Sequence, residues 1–399
     1  MTLRKLLFWI HLIAGTVAGA IILIMSVTGV ALTYERQIVN WTEQRYRTAV
    51  PASSTRLPVS VLLARVRTVR PALPSAITVR SDPAAPVEFG YGREATLFVN
   101  PYSGAVLGDS SQGVRRFFRA VTDWHRWLAM SGGGRGTGRA ITGACNLLFL
   151  LLVVSGFYLW WPKQWTWQRL RPVFWFRAGL AGKARDFNWH NVAGLWGAAP
   201  LFLIVLSGVI MSYPWANNLL YTLTGSTPPA QAGGPPGGGP GRGLGAGSGD
   251  GPRRERARGG DGRREAAKPS LDQFSRIDAS WAKVERQVTG WRSISLRLPA
   301  SPRAPWSYSI DRGSGAEPEK RVQLTLDSAT LEVTRTEDFA AYELGRKLRL
   351  WARFVHTGEE FGAVGQTVAG VASAGGALLV RTGIALTWRR FRNWRSRRA

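Results

Sequence analysis

His11–Tyr34, HLIAGTVAGAIILIMSVTGVALTY, and His190–Tyr213, HNVAGLWGAAPLFLIVLSGVIMSY, align without a gap. His11, Ala14 and Gly15 of the first block meet His190, Ala193 and Gly194 of the second. Gly29, Val30 and Tyr34 meet Gly208, Val209 and Tyr213, with Thr28 in the place of Ser207. Each block is an uncharged apolar run that opens on a histidine. About 20 such residues in a helix cross a ~30 Å hydrocarbon core. The fold is therefore read as membrane helices related by an internal repeat.

Four such runs occur: Leu12–Tyr34, Ala140–Trp161, Val192–Tyr213 and Phe361–Val380. The second and fourth match more loosely, with Ser155-Gly156 and Trp161 corresponding to Thr382-Gly383 and Trp388. Each half then reads as helix, small α+β domain, helix. An even number of spans puts both termini on one side. Both halves start from that side, so the repeat is parallel, about an axis along the membrane normal.

The formal net charge of +27 would point to nucleic acid in a soluble protein, but no base-reading motif is present. The basic residues lie instead beside the spans. Arg4 and Lys5 precede the first, and Lys163, Arg169, Arg171, Arg177, Lys183 and Arg185 fill the second connection. Arg389, Arg390, Arg392, Arg395, Arg397 and Arg398 follow the fourth. By the positive-inside rule the termini and the 162–189 loop are cytoplasmic, and the two long connections are exoplasmic. Trp160, Trp161, Trp165, Trp167, Trp388 and Trp394 form an interfacial aromatic belt. The single cysteine, Cys145, provides no disulfide framework and excludes a covalent C-x-x-C-H haem site. The first run is longer than a signal-peptide core and lacks a cleavage motif, so it reads as an uncleaved anchor.

In order, residues 1–35 are the first membrane helix and 36–115 an α+β domain. That domain holds a helix over Val59–Val69, strands at Ala76–Arg80, Val87–Tyr91 and Ala95–Val99, and a turn at Asn100–Gly104. Residues 116–161 carry an amphipathic helix with His125, a break at the glycine-rich Ser131–Gly138, and the second membrane helix. The aromatic, basic loop 162–189 leads to the third, 190–213. Gly, Pro and Arg dominate 225–268, which buries too little apolar surface to offset its ordering entropy and is predicted to be a disordered linker. A second α+β domain, 269–340, has a helix over Leu271–Val288. Its strands fall at Ser293–Leu298, Trp306–Asp311, Val322–Leu326 and Leu331–Thr334. Residues 341–388 form a short helix, Ala341–Val355, and the fourth membrane helix, and 389–399 a basic cytoplasmic tail.

The protein has four histidines, His11, His125, His190 and His356, each at or just before one apolar run. Topology sorts them into His11 with His190 near the inner face and His125 with His356 near the outer face. Imidazole ligates haem iron, and ionisable groups at membrane depth are functional candidates. Each pair can supply both axial ligands of one haem. A single histidine near a helix end is more often a cap or an interfacial residue, and the symmetric set of four is what favours ligation. Zinc is the weaker alternative, since two histidines make an incomplete site and Glu359 and Glu360 lie only near His356. Gly15, Gly19, Gly194, Gly197 and Ala198 either admit a porphyrin or allow close helix packing. Arg381, and with less support Arg139 and Arg135, either contact haem propionates or snorkel to the interface. Met25, Met130 and Met211 are ligands in principle only. No catalytic triad, carboxylate constellation or phosphate loop stands out in the exoplasmic segments.

The block His11–Glu35, the turn FVNPYSGAVLGD at Phe98–Asp109, WHRWL at Trp124–Leu128, SGFYLWWPKQW at Ser155–Trp165 and HTGEEFG at His356–Gly362 together resemble the PepSY-associated transmembrane family, often called iron-regulated membrane proteins. The resemblance covers nearly the whole chain outside 225–268. The second domain departs from it, with Leu326-Asp-Ser-Ala-Thr330 where the first has Asn100-Pro-Tyr-Ser-Gly104. The resemblance implies an inner-membrane haem protein that reduces ferric siderophores in the periplasm. It also implies PepSY-like lobes, with haem ligation carried by His11, His125, His190 and His356.

The expectation is an integral α-helical membrane protein with two non-covalent b-type haems, a haem-dependent ferric-chelate reductase of the bacterial inner membrane. Electrons would pass from the inner to the outer haem. The acceptor is a periplasmic ferric siderophore or other chelate. No nicotinamide or flavin fingerprint is present, so the donor is external, a cytoplasmic protein or a quinol. Two rivals stand beside it: a PepSY-containing regulatory or structural protein without a redox role, and a haem relay to another periplasmic enzyme.

Overall fold

The computed structural model describes residues 2–397 except 53–54, 93–94, 111, 163, 165, 229–273, 300 and 302–303. Its helices are α1 (Leu3–Leu32), α2 (Glu35–Glu43), α3 (Val59–Val69), α4 (Gln112–Trp127), α5 (Gly134–Trp160) and α6 (Trp167–Phe174). They continue with α7 (Gly182–Ser212), α8 (Pro214–Leu223), α9 (Ile277–Gln287), α10 (Leu344–Thr357) and α11 (Gly362–Arg395). The strands are β1 (Ala76–Arg80), β2 (Val87–Tyr91), β3 (Ala95–Val99), β4 (Val106–Asp109), β5 (Ser293–Arg297), β6 (Trp306–Asp311), β7 (Arg321–Leu326) and β8 (Val333–Asp338). Two compact units result, and their boundaries fall at the start of α2, within α4, after α8 and within α10.

The first unit holds 1–35, 117–227 and 351–399. Its four long helices, α1, α5, α7 and α11, are each long and apolar enough to cross a membrane. They form a ring in which α1 and α7 each pack against both α5 and α11. Small residues allow this approach: α1 buries Ala14, Ala18, Gly19 and Ser26, together with Ile22, along one face. Its other face exposes Ile13, Val17 and Val27. A water-soluble bundle would have polar residues there, so the pattern is that of helices facing lipid. Gly15, Gly19 and Gly194 stand against Leu152, Ile384 with Val380, and Leu379, so these glycines serve helix packing. Each apolar run overlaps, to within two residues at one end, a helix longer than its uncharged length implied; α7 starts at Gly182 and α11 runs on to Arg395. The added turns carry the flanking basic residues.

The second unit holds 36–116 and 228–350. Its strands form one sheet of order β4-β3-β2-β1-β5-β6-β7-β8, where two lobes were expected. β1 and β5 are each the first strand of an antiparallel meander and would expose an unpaired edge. They pair with each other instead, in antiparallel register from Ala76↔Arg297 to Arg80↔Ser293. At the centre of this seam Thr78 Oγ1 donates to Ser295 Oγ at 2.9 Å. One face packs on α3 and α9 through Leu62, Leu63, Val66, Ile277, Trp281 and Val284. The Tyr308 hydroxyl shares a 2.6 Å hydrogen bond with Ser280 in this core, and burial pushes its phenol well above the ordinary tyrosine range.

Three local differences from expectation have clear causes. β4 was not foreseen, because Val106-Leu-Gly-Asp109 has too little alternation to read as a strand. β8 starts at Val333, beyond the expected Leu331, because Asp327 Oδ1 accepts from the amides of Ala329 and Thr330 and Leu331 is left-handed, with φ 59°. α10 starts at Leu344 and takes in His356. The expected linker lies outside the described residues beyond 228, as does the start of the helix foreseen at Leu271.

Ile77 and Leu296 face each other across the β1–β5 seam and are wholly buried. Either one changed to alanine should cost about 2–5 kcal/mol. Thermal or urea unfolding of the sheet unit should remain one transition in both variants. Two resolved transitions, with only one of them shifted, would mean that the halves fold as separate lobes.

Candidate functional site

All four histidines belong to the helical unit, where they form two pairs. His11 on α1 faces His190 on α7 with ring centres 6.4 Å apart and planes at 83°. His125 on α4 faces His356 on α10 at 6.3 Å and 66°. The first pair lies at the end of the bundle that carries both termini. The second reaches the opposite end of α1 and α7 from the short helices that precede the spans. His11 and Thr28, which mark the two levels on α1, are separated by about 25 Å of helix rise.

Each imidazole is held by a hydroxyl from a neighbouring long helix. Nδ1 of His11 lies 2.9 Å from Ser155 Oγ, that of His190 2.9 Å from Thr382 Oγ1, and that of His125 2.9 Å from Thr28 Oγ1. Nδ1 of His356 lies 3.3 Å from Ser207 Oγ and 2.8 Å from the Ile204 carbonyl. The four hydroxyls donate their own proton to a carbonyl one turn back in their helix. Thr28 donates to Ile24 at 2.6 Å, Thr382 to Leu378 at 2.7 Å, Ser207 to Ile204 at 2.8 Å and Ser155 to Leu152 at 3.4 Å. A hydroxyl has one proton, so a lone pair is what remains for the imidazole. A carbonyl can only accept, so Nδ1 of His356 is the protonated nitrogen and its Nε2 carries the free lone pair that binds metals; the hydroxyl arrangement is compatible with the same tautomer in the other three rings.

The spacing of the rings fits a metal ion between them. A first-row transition metal binds an imidazole nitrogen at about 2 Å, which places two opposed ring centres about 6.3 Å apart. Among the described residues no group of three or more His, Cys, Asp or Glu side chains gathers at a possible metal site. A two-imidazole donor set suits an ion whose other positions are filled by a planar ligand, as in haem, and leaves zinc short of ligands. Glycines make room for the rings. A Cβ on Gly156 would stand 3.1 Å from His11 Cε1, on Gly383 3.5 Å from His190 Cε1, and on Gly29 3.7 Å from His125 Cε1.

Other expected residues have different surroundings. The Arg139 guanidinium donates to the Ser212 carbonyl at 3.2 Å and to Met211 at 3.5 Å, capping α7. Arg135 lies over the Trp127 ring at 4.8 Å. Arg381 is on the exposed face of α11. Met25 and Met211 offer backbone carbonyls, Met25 to His125 and Met211 to Arg139. Two groups were not foreseen as site residues. The hydroxyls of Thr28, Ser155, Ser207 and Thr382 were visible only as matches of the repeat. Arg126 and Arg353 flank the histidines of α4 and α10.

The sequence pattern of the PepSY-associated TM region family matches residues 8–397. The chain belongs to that family. No curated protein matches it. The matched range includes all four histidines and all four hydroxyls.

Protein labelled with ¹⁵N-histidine, in detergent and without added cofactor, should show Nδ1–H tautomers at all four sites. Replacing Ser155 with alanine should mix tautomers at His11 alone, because His125 and His190 keep a backbone carbonyl as a second acceptor. Nε2–H resonances in the unmodified protein would contradict the hydrogen-bond assignment.

Proposed function

We propose that this protein is a di-haem, b-type electron carrier of the bacterial inner membrane, with both termini cytoplasmic, that reduces a ferric siderophore or another ferric chelate in the periplasm. The observation that carries this reading is the two imidazole pairs, at opposite ends of one four-helix ring, each with its rings spaced for one iron. His11 and His190 would hold the inner haem, His125 and His356 the outer. The repeat places equivalent residues opposite each other, which supports paired ligation from two related halves.

Haem bound at these sites supplies one-electron chemistry between ferric and ferrous iron. The residues of the chain bind and orient it. Each Ser or Thr hydroxyl fixes one ring and aims Nε2 away from the hydrogen bond, and the apolar helices exclude water. Basic residues beside the spans set the orientation, with the 162–189 loop on the donor side. The donor is external, a cytoplasmic protein or a quinol. Reduction of the bound ferric ion loosens the chelate, because hard oxygen donors favour the ferric state.

The test is an optical spectrum of haem-supplemented, detergent-purified protein, oxidised and then reduced with dithionite. Two haems per chain with sharp low-spin b-type bands are expected. His11→Ala or His190→Ala should remove one haem, and His125→Ala or His356→Ala the other. Reduced protein should be reoxidised by a ferric chelate. A colourless protein would favour a PepSY-containing regulatory role, and a di-haem protein indifferent to ferric chelates would favour a relay to another enzyme.

A further inference from the structure

Between the two histidine levels the repeat sets one layer of side chains in which the halves differ. On α1 and α7 the layer is Ile22 and Leu201, which hold equivalent places in the matched blocks and are both buried. On α5 and α11 it is Phe149 and Gly376. Each stands six residues before a hydroxyl residue of the inner level, Ser155 or Thr382, so the repeat makes these two positions equivalent as well. One half carries a phenyl ring where the other carries a hydrogen.

Six residues of helix rise about 9 Å, which puts Phe149 and Gly376 that far from the inner hydroxyls along the bundle. The outer level is nearer. Ser373, three residues before Gly376, has its Oγ 3.3 Å from where a Cβ on Gly29 would stand, and His125 Cε1 lies 3.7 Å from the same point. Helices α5 and α11 face each other across the ring, each packed on α1 and α7. Phe149 spans the gap between them. A Cβ on Gly376 would stand 3.4 Å from Phe149 Cζ, the tip of the ring, and 2.9 Å from Ser26 Oγ of α1. The phenyl group therefore crosses the axis of the repeat and reaches the opposite helix. Two rings here would compete for one space, and two glycines would leave a void whose lining lost its contacts.

We infer that Phe149 is the bridging residue between the two sites: the electron that passes from the His11–His190 site to the His125–His356 site crosses the bundle through this ring. Tunnelling decays with distance, and it decays faster across an empty gap than across packed atoms. Filling the axis between the two levels is what the ring does. One electron leaves the inner ferrous ion, which becomes ferric, and reduces the outer ferric ion to ferrous. The ring is neither oxidised nor reduced, and no proton moves with the electron. This inference rests on the two-haem reading above, whereas the placement of the ring does not.

The experiment has two parts. In protein without added cofactor, para-fluorophenylalanine in place of Phe149 puts the fluorine at the ring tip, and its resonance should shift on Gly376→Ala. An unmoved resonance would overturn the placement and the inference with it. In haem-loaded protein in detergent, a flash photoreductant injects one electron, and its redistribution between the haems is followed optically. Phe149→Ala leaves a gap across the axis and should slow that redistribution about tenfold, with two haems per chain and unchanged haem spectra. Phe149→Leu, which keeps an apolar side chain but not the reach of the ring, should slow it less. An unchanged rate in Phe149→Ala would overturn the inference. If Phe149→Ala alone loses haem, Phe149→Leu decides, and an unchanged rate there overturns it. Haem loss in both variants would make Phe149 a packing residue and overturn it too. A wild-type protein without haem would instead remove the two-haem reading, even with the fluorine shift observed.

Discussion

Everything in the helical unit depends on one constraint: an imidazole placed among apolar helices must have its N–H satisfied, because neither lipid nor a packed core supplies a partner. Serine and threonine meet it. Each donates its own proton to a carbonyl of its helix and offers a lone pair to Nδ1–H. The same bond locks the ring, selects the tautomer and leaves Nε2 unengaged. It also sets which helices must touch, because Thr28 and Ser207 of α1 and α7 serve the histidines of α4 and α10. Ser155 and Thr382 of α5 and α11 serve those of α1 and α7. The ring of four helices and the two pairs are one arrangement seen twice.

Glycine completes it. Gly29, Gly156 and Gly383 each follow their hydroxyl residue by one position and lie against an imidazole edge. A larger side chain would push the ring off its hydroxyl. Gly358 ends α10 two residues after His356, with φ 74°, and a Cβ there would collide with the Gly365 carbonyl. Gly362, with φ 59°, shares the left-handed φ, which accounts for both glycines of the HTGEEFG segment. The turn after α4 reaches the same reversal with Leu128 and Ala129, which lack that freedom, and is stabilised by the contacts of Thr142 and Gly138 with the end of α4.

The sheet unit follows a different constraint. Two meanders of four strands each have an open edge, and joining β1 to β5 removes both inner edges at once. Thr78 and Ser295 complete the join with a side-chain bond, and α3 and α9 close over one hydrophobic core. Arg80 with Glu88 and Arg321 with Asp311 pair their charges on the sheet. No constellation of reactive side chains was read from these segments.

The sequence by itself determined the elements whose signal is local. Long uncharged runs dictate membrane helices, alternation dictates β1, β2, β6 and β7, and the matched blocks His11–Tyr34 and His190–Tyr213 dictate which histidines correspond. The pairing of His11 with His190 and of His125 with His356 followed from that correspondence and the direction of each span. Tertiary structure alone decided the rest. Ser155 and His11, or Thr382 and His190, are far apart in the chain, and a hydroxyl in an apolar run looks the same whether it bonds only to its own helix or also to an imidazole. Arg139 and Arg126 are likewise indistinguishable as isolated cations. One caps a helix and the other lies over the Trp127 ring, because only the fold fixes what each guanidinium meets. The β1–β5 seam was equally silent, since hydrogen bonds between strands belong to the backbone and leave no trace in side-chain pattern.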